Sequence, residues 1–491
     1  MREKIQIALI VLLGLILRLL YVQQRGIWYD DAFSILLAKQ SLAQIISGTA
    51  ADTMPPLYYF LLHFWMMVSM KIVWIRLLNL VIFYGVLGFA YQITKHIVSS
   101  KAGLIAIFLL SISPFLIYHT QEVRMYMLLA FCQVGYFYYF IRWIDSEQPE
   151  KKVYVFGMIL FATGALYSHN LAIFGLVIPG IYLLVKRQIS QTMHWIVTII
   201  GSLLLFTPWL VLVPGQIEKI QTAFWTPRPG ILQIIQSIYS LLSFIPQPSP
   251  WIMISGVLSF QILALVLWIG IKRRHQIKHF LLIIFGMIFI PMVLFVVSYL
   301  MRPVYVARGF ILSLLMFYIF TAIICWINWG GGIEKIILGL FIILSAISLP
   351  FQYNFDLFPR SPFAAACTYL TDEINQAIDT NVVLHDNKLS AFPCFVYEPE
   401  FPQLFLGDES GSHNDTYAFA SQQAMNLYPI ENIEQAVSGR DEVYFVVFVR
   451  AIDEYAEQGD GNHPALVYLS EAFTQKDIKY FNDLAIYHYA K

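Results

Sequence analysis

Charged residues are scarce in this sequence. Only 13% of its 491 residues are Asp, Glu, Lys or Arg, and 58% are hydrophobic, whereas soluble globular proteins carry about 25% charged and roughly 45–50% apolar residues. This shortage of charge excludes an ordinary cytosolic enzyme. The N-terminus also lacks the small-residue cleavage site of a secretory signal, so the first apolar run, residues 5–22, is expected to remain as a membrane anchor.

The few charges are divided unevenly along the chain. Residues 1–350 contain 24 Lys and Arg against 10 Asp and Glu, whereas residues 351–491 contain 7 against 21, so the two parts carry net charges of +14 and −14. The apolar excess lies in the first part. We therefore expect two domains, a basic membrane-embedded one over residues 1–350 and an acidic water-soluble one over residues 351–491.

Apolar stretches long enough to cross a membrane are frequent in the first domain. About 30 Å of hydrocarbon requires roughly 20 residues at 1.5 Å each, and this criterion predicts about 11 transmembrane helices. They cover residues 5–22, 74–94, 102–119, 125–143, 153–168, 171–185, 193–213, 251–271, 279–300, 308–327 and 335–350. Residues 57–70 are apolar but short and follow two prolines, so an interfacial helix is predicted there, within a first loop of residues 23–73.

The loops between these spans indicate which side each faces. Lys and Arg concentrate in alternate loops, and such loops face the cytoplasm. The loop 23–73 and the acidic domain then lie on the opposite, exoplasmic side. The predicted fold class is therefore an α-helical integral membrane protein with a C-terminal soluble α/β domain on the exoplasmic side.

The acidic domain alternates amphipathic stretches with β-branched or aromatic runs. This pattern predicts helices over residues 364–378 and 475–482, and strands over residues 382–385, 443–449 and 484–489. Cys367 and Cys394 both lie in this domain. Outside the cell they are candidates for a disulfide, which requires a geometry that the sequence does not specify.

Carboxylates are few on the exoplasmic side of the membrane domain. They are Asp30, Asp31, Asp52, Glu122 and Glu218, and they share that side with Arg76, Arg124, Arg228, Arg302 and Arg308. Because arginine normally prefers the cytoplasmic side, this concentration indicates an anionic ligand. Adjacent Asp30 and Asp31 raise each other's proton affinity, which suits a general base or a cation ligand; two solvated loop aspartates are the alternative.

Five residues each have two interpretations. Glu122 and Arg124 either close a hairpin as an ion pair or contact a lipid phosphate or an acceptor. His169 is either an interfacial polar residue or a ligand. Arg302 suits lipid-headgroup contact as well as phosphate binding. Arg18, in the first span, is expected to extend to the interface, with the alternative that it faces the site.

Six segments, taken in order, carry a more specific pattern. They are WYDDAFSILLA (28–38), DTMPPLYYFLLHFW (52–65), WIRLLN (74–79), SPFLIYHTQEVRMYMLLA (113–130), YSHN (167–170) and RPVYVARG (302–309). This set resembles the polytopic GT-C glycosyltransferases of the dolichyl-phosphate-mannose-protein mannosyltransferase-like superfamily, which includes bacterial lipid A aminoarabinose transferases. The resemblance covers residues 1 to about 320. It implies a hexosyl or pentosyl transferase that uses a polyprenyl-phosphate-linked sugar outside the membrane.

The resemblance also implies roles for individual residues. Asp30 falls on the catalytic or acceptor-orienting carboxylate, with Asp31 beside it. Donor phosphate contacts are expected from Arg124, Arg308 and Arg302, and acceptor or supporting contacts from Glu122, Asp52, His169, Tyr58 and Tyr126. Met54 stands where the family often has His or Glu, and its thioether is a poor ligand for a hard cation. Whether the protein requires a divalent metal therefore stays open; the candidates are Mg²⁺ or Mn²⁺ held by Asp31, Asp52 or His169.

The implied chemistry requires few groups. One carboxylate activates the acceptor hydroxyl and arginines stabilise the leaving phosphate, as in an inverting single displacement. No Gly-rich phosphate loop or Walker pattern occurs in the sequence, in keeping with a lipid donor rather than a nucleotide.

The expected partners are a polyprenyl-phosphate-linked sugar, an acceptor that is a lipid, a glycan or a protein, and membrane lipids, with no nucleic acid. The expected location is the plasma (inner) membrane, with the active site and the C-terminal domain exoplasmic. A polytopic transporter or lipid flippase is the alternative. Such proteins usually place ionisable groups near mid-membrane, and these spans lack them away from their ends.

Overall fold

The computed structural model of the protein describes residues 2–147, 151–223, 226–355, 361–374, 380–408, 419–458 and 462–491. Contacts divide the chain into two compact units. The helical unit comprises Met1–Val22 and Thr53–Asn354, and the α/β unit comprises Gln23–Asp52 and Phe355–Lys491. Residues 23–52 are expected from the sequence to belong to the membrane domain, whereas their contacts place them with the C-terminal residues.

The secondary-structure elements are numbered along the whole chain. The helices are α1 (Arg2–Leu19), α2 (Tyr29–Ala38), α3 (Leu42–Ala51), α4 (Leu57–Met66), α5 (Ile72–Ile97), α6 (Ser100–Ile112), α7 (Pro114–Gln121), α8 (Tyr126–Asp145), α9 (Lys151–Ser168), α10 (Ala172–Leu176), α11 (Ile178–Val185), α12 (Ile189–Leu210), α13 (Val213–Ala223), α14 (Ile231–Leu242), α15 (Trp251–Lys272), α16 (Phe280–Leu300), α17 (Ile311–Ile327), α18 (Ile333–Tyr353), α19 (Phe363–Ile374), α20 (Lys388–Tyr397), α21 (Phe419–Ala424), α22 (Ile433–Val437), α23 (Val449–Gln458) and α24 (Pro464–Ala472). The strands are β1 (Asn381–His385), β2 (Gln403–Phe405), β3 (Glu442–Phe448), β4 (Thr474–Phe481) and β5 (Leu484–Ala490).

Each predicted span coincides with helical structure. Among the described residues, seven helices are long and apolar enough to cross a membrane, namely α5, α8, α12, α15, α16, α18 and α17 together with the 3-10 helix Ala307–Phe310 that precedes it. The bent pair α6–α7 gives up to eight. The helices at residues 5–22, 153–168 and 171–185 do not meet this criterion, so the count of eleven remains a prediction. Helix α4 has ten residues, about 15 Å, which is too short to cross about 30 Å of hydrocarbon.

The predicted span 102–119 is not one straight helix, because it breaks at Ser113 into α6 and α7, which are bent by 61°. Pro114 has no N–H to donate to the carbonyl of Leu110, so the helix cannot continue through it. Pro114 instead begins α7, and the Ser113 Oγ accepts the N–H of Leu116 at 3.4 Å. The break directs α7 and the turn after it away from the axis of α6.

Helix α17 forms the centre of the helical unit. It is buried over almost its whole length and packs against α5, α6, α8, α16 and α18. The outer helices α12, α15 and α16 instead leave large apolar side chains exposed, among them Val197, Val257 and Val296. An apolar surface of this extent is suited to contact with lipid tails rather than water.

The α/β unit contains a five-stranded sheet in the order β2-β1-β3-β5-β4. β1 is parallel to β2 and β3, while β5 is antiparallel to β3 and β4. The apolar strands β1 and β3 are buried on both faces, as is usual for parallel strands covered by helices. The predicted strands at 382–385, 443–449 and 484–489 correspond to β1, β3 and β5.

The helix predicted over residues 475–482 is wrong, because these residues form β4. Asn482 adopts a left-handed backbone conformation with φ +54° and turns the chain into a hairpin, in which β4 pairs antiparallel with β5. Pairing with a neighbouring strand overrides the local preference of this polar segment. The helix predicted over 364–378 forms α19 as far as Ile374, and the rest of that prediction lies outside the described residues.

Candidate functional site

Three distant segments of the helical unit meet around Tyr126, at the N-terminal end of α8. The guanidinium carbon of Arg308 lies 5.6 Å from the centroid of the Tyr126 ring. The ring centroids of His169 and His119 lie 6.2 and 5.3 Å from that of Tyr126. The turn after α7, the turn between α9 and α10 and the turn before α17 therefore converge. We call Glu122, Arg124, Tyr126, His169 and Arg308 the Tyr126 cluster.

His169 is buried within this cluster. The Leu171 N–H donates to its Nδ1 at 3.1 Å, so the proton of the neutral ring is assigned to Nε2. Burial, followed by the charges of Arg308 and Arg124, lowers the pKa of His169 to about 3. At neutral pH Arg124 and Arg308 therefore place two fixed positive charges near the uncharged Nε2–H donor of His169.

The backbone of the Glu122–Arg124 turn is held by Asn79 of α5. The Asn79 Nδ2 donates to the carbonyl of Glu122 and, at 3.1 Å, to that of Arg124. His119 lies on α7, and its Nδ1 is 2.8 Å from the Glu122 Oε2. These contacts fix the turn that carries the two predicted charged residues.

Sequence reasoning did not single out Asn79 or His119. The spacing of His119 and Glu122, three positions apart at the end of a helix, was the available signal, because such residues lie on one helix face. Nothing in the local sequence around Asn79 indicates that it contacts a turn more than 40 positions away. Its role depends on how α5 and α7 pack.

Two other predicted residues of the helical unit have different surroundings. Tyr58 is buried in α4 and packs edge-on against Tyr59, with ring centroids 6.1 Å apart. Arg302 is exposed just beyond the end of α16, whereas Arg308 is partly buried. The exposure of Arg302 is in keeping with the alternative that it contacts lipid headgroups.

Asp30, Asp31 and Asp52 belong to the α/β unit. Trp28 is the N-cap of α2 in extended conformation, so Asp30 and Asp31 occupy the first helical turn, where the helix dipole favours carboxylates. Asp31 is only 1% exposed, and Asp30 is partly exposed. Asp52 is buried as the C-cap of α3 and donates its N–H to the Gly48 carbonyl at 3.2 Å.

The described residues contain no preformed cluster of metal ligands. No three or more His, Cys, Asp or Glu side chains among them are placed to share one ion, whereas a protein site for a hard divalent cation usually supplies several oxygen ligands. The predicted ligands Asp31, Asp52 and His169 therefore remain a prediction.

Comparisons with known proteins address the family and the fold. Residues 53–212 match the sequence profile of the family described as dolichyl-phosphate-mannose-protein mannosyltransferase. No protein with a curated description matches the sequence.

Solved structures share the architecture of nearly the whole chain. ArnT from Cupriavidus metallidurans bound to undecaprenyl phosphate has a TM-score of 0.66 at 11% identity, with 98% of this chain and 97% of that chain covered. Its apo state gives the same TM-score and identity over 99% and 98%. Archaeal oligosaccharyltransferase AglB from Archaeoglobus fulgidus, in complex with an inhibitory peptide and a dolichol-phosphate, has a TM-score of 0.53 at 11% identity, over 99% and 74%.

At identity this low, the structural similarity establishes a common fold and nothing finer. The family match adds a sequence relationship over the segment that contains Glu122, Arg124, Tyr126 and His169. Together they confirm the resemblance predicted from the ordered motifs: residues 53–212 are related in sequence to the dolichyl-phosphate-mannose-protein mannosyltransferase family, and nearly the whole chain shares the fold of ArnT.

Proposed function

We propose that this protein transfers a sugar from a polyprenyl-phosphate-linked donor to an acceptor on the exoplasmic face of the plasma membrane. The observation that carries the proposal is the Tyr126 cluster, in which Arg124, Arg308 and the neutral His169 converge. Arg124 is buried and Arg308 is partly exposed. A guanidinium group that is at least partly withdrawn from water binds phosphate strongly, because both the low dielectric and the matching geometry favour the contact. ArnT has been solved with undecaprenyl phosphate and AglB with a dolichol-phosphate, which supports a lipid-linked phosphate as the ligand.

The proposed reaction is a single displacement at the anomeric carbon. Asp30 accepts the proton of the acceptor hydroxyl as that oxygen forms the new glycosidic bond. The bond between the anomeric carbon and the phosphate oxygen breaks, and polyprenyl phosphate leaves with the electron pair. Arg124, Arg308 and the Nε2–H of His169 stabilise the negative charge that grows on the phosphate. One displacement inverts the anomeric configuration.

The remaining predicted residues have supporting roles in this proposal. Asp31 orients the acceptor beside Asp30. Asp52 and Tyr58 make supporting contacts to the acceptor. Glu122, held by His119, keeps the turn that carries Arg124 in place, and Tyr126 gives Arg308 an aromatic surface.

Two features support an exoplasmic active site. Cys367 and Cys394 form a disulfide, and disulfides persist mainly in oxidising compartments outside the cytosol. The basic loops of the helical unit follow the positive-inside preference when the α/β unit is outside.

The test is sugar transfer by the purified protein in lipid nanodiscs. A panel of polyprenyl-phosphate-linked hexoses and pentoses is supplied, and the release of polyprenyl phosphate is measured. Asp30→Asn should lower turnover by about 10³-fold or more, because the general base is lost. Glu218→Gln, which changes an exposed carboxylate on α13, is the matched control and should keep wild-type turnover. Wild-type turnover by Asp30→Asn would remove the base assignment, and lipid translocation without sugar release would favour the transporter alternative.

The same assay addresses the metal. Because the proposed reaction places the proton on Asp30 and stabilises the leaving phosphate with Arg124, Arg308 and His169, we expect transfer to continue in the presence of EDTA. Activity that is lost with EDTA and restored by Mg²⁺ or Mn²⁺ would contradict this expectation and support metal ligands at the site.

A further inference from the structure

The start of helix α2 is held by residues from the far end of the sequence. The backbone N–H of Ile27 donates to the Tyr397 hydroxyl at 2.7 Å, across 370 positions. The Trp28 ring is buried and packs edge-on against two aromatic rings that also contact each other, with centroid distances of 5.9 Å to Phe363 and 6.4 Å to Phe448. The two residues immediately before Tyr29 and Asp30 are therefore fixed by the C-terminal part of the chain.

The rest of the 23–52 segment is built into the same unit. Helix α2 packs along α20, and α3 packs against α21. The Ser421 Oγ donates to the Gly48 carbonyl at 2.8 Å. A Cβ added at Gly48 would lie 2.6 Å from the Leu37 side chain and 3.1 Å from the Ala424 Cβ. Contacts this close show that Gln23–Asp52 is a packed part of the α/β unit rather than a loose loop.

The disulfide joins the two helices whose residues contact the start of α2. Cys367 lies on α19, four positions after Phe363, and Cys394 lies on α20, three positions before Tyr397. Residues three or four apart share a helix face, so each cysteine is one turn from the residue that contacts Trp28 or Ile27. The covalent link restricts movement of α19 relative to α20 at this point.

We propose that Tyr397 is a positioning residue for the Asp30 and Asp31 carboxylates and that the Cys367–Cys394 disulfide holds Tyr397 in place; this rests on the proposed function. The first turn of a helix has N–H groups without intrahelical partners and frays unless it is fixed by other contacts. Loss of the Tyr397 contact displaces the two carboxylates. A displacement of about 1 Å lowers the rate of transfer by on the order of 10²-fold.

The first measurement is amide hydrogen exchange, which does not require a donor. Tyr397→Phe removes the hydroxyl and keeps the ring. We expect about fivefold faster exchange in peptides that contain Ile27 and the first turn of α2, the effect of one lost hydrogen bond, and unchanged exchange in β3. Tyr489→Phe is the matched control, because it removes a hydroxyl contact to Ser470 in the same unit. Exchange at the start of α2 equal to that of the control would overturn the proposal.

The second measurement is steady-state transfer. Tyr397→Phe and the double variant Cys367→Ser with Cys394→Ser should each lower kcat about tenfold or more, while the KM for the donor stays within about twofold, because Arg124 and Arg308 belong to the other unit. In an Asp30→Asn background, Tyr397→Phe should cause no further fall in kcat. A purely structural role of Tyr397 would lower kcat further in that background as well. An unchanged kcat would overturn the positioning role.

The two measurements separate this inference from the proposed function. If the wild-type protein releases no sugar from any donor of the panel, the proposed function fails. Hydrogen exchange still decides whether Tyr397 and the disulfide hold the start of α2.

Discussion

At the scale of single residues, arginines of this protein have two distinct roles. Arg308 is partly exposed and lies beside Tyr126. Arg18 was expected to extend to the membrane interface, but it is 2% exposed, and its guanidinium carbon lies 3.6 Å from the centroid of the Phe83 ring. The expectation failed because Arg18 finds backbone carbonyls to hydrogen-bond within the helical unit, so it has no need of water.

The role of Arg308 leads to a test by a conservative change. Arg308→Lys keeps the charge but loses the planar set of donors that matches a phosphate. We expect the KM for the donor to rise about tenfold, with a smaller fall in kcat, measured as release of polyprenyl phosphate. Arg228→Lys, at an exposed arginine, is the control and should match the wild type. An unchanged KM for Arg308→Lys would contradict a phosphate contact.

His385 in β1 provides a prediction for pH dependence. It is fully buried, with its Nε2 2.9 Å from the Gln403 Oε1, and burial lowers its pKa to about 4. In the unfolded chain the pKa of histidine is about 6.5. Between these values the unfolded state binds more protons than the folded state, so the free energy of unfolding falls as the pH falls from about 6.5 to about 4, by up to roughly 3 kcal/mol.

The measurement compares the wild type with His385→Gln. The stability of the α/β unit is obtained from hydrogen exchange of the β1 and β3 amides, at pH 7 and at pH 5. The wild type should lose more stability than the variant over this interval, because only the wild type carries the titrating imidazole. Equal losses in both proteins would show that His385 does not contribute.

At the scale of elements, the broken helix α6–α7 is held by two reciprocal caps. Pro114 deprives the Leu110 carbonyl of its helical partner, and Arg18 donates to that carbonyl at 3.2 Å and to the Ser111 carbonyl at 2.8 Å. In return, the Gln121 Nε2 at the end of α7 donates to the Arg18 carbonyl at 2.9 Å, near the end of α1. Each helix therefore satisfies carbonyl groups that the other leaves open.

This pairing predicts a large effect of a change far from the Tyr126 cluster. Arg18→Met leaves buried carbonyls without donors, and we expect a loss of about 2–4 kcal/mol in stability. The apparent Tm of the purified Arg18→Met protein in detergent should be several degrees below that of the wild type. The Tm of Arg18→Lys should lie between these two values. Arg2→Met, at an exposed position on the same helix, serves as control. A wild-type Tm for Arg18→Met would show that the caps are not important for stability.

At the scale of the whole molecule, the opposite charges of the two parts of the sequence predict that the basic loops and the acidic part lie on opposite sides of the membrane. The +14 part contains the basic loops, and the −14 part contains most of the α/β unit. Cysteine labelling tests the sidedness that follows, since the native thiols give little background: Cys132 and Cys325 are buried, and the other two are bonded to each other.

The expected labelling pattern is asymmetric. Lys476→Cys, exposed on β4, should react with a membrane-impermeant maleimide in intact cells. Arg273→Cys, exposed in a basic loop after α15, should react only after the membrane is permeabilised. The reverse pattern would place the α/β unit in the cytoplasm and would remove the exoplasmic active site from the proposal.

The ordered motifs of the sequence are sufficient to predict part of the candidate site. Short segments that keep their order along the chain predict Glu122, Arg124, Tyr126 and His169, and a turn far from them predicts Arg308. The structure brings Tyr126, His169 and Arg308 together. It also adds Asn79, whose contact with the Glu122–Arg124 turn depends on helix packing, and His119, whose spacing from Glu122 is the only local signal of their contact.

Hydrophobic run length and charge are local properties of the chain, so they are sufficient to predict a membrane-embedded helical part and an acidic α/β part. Three features become visible only in the folded structure: residues 23–52 join the α/β unit, α6 and α7 are bent, and residues 474–481 form a strand. The placement of residues 23–52 results from contacts with residues far apart in the sequence. The bend follows from Pro114, and the strand is fixed by its pairing with β5, which exceeds the local preference of that segment.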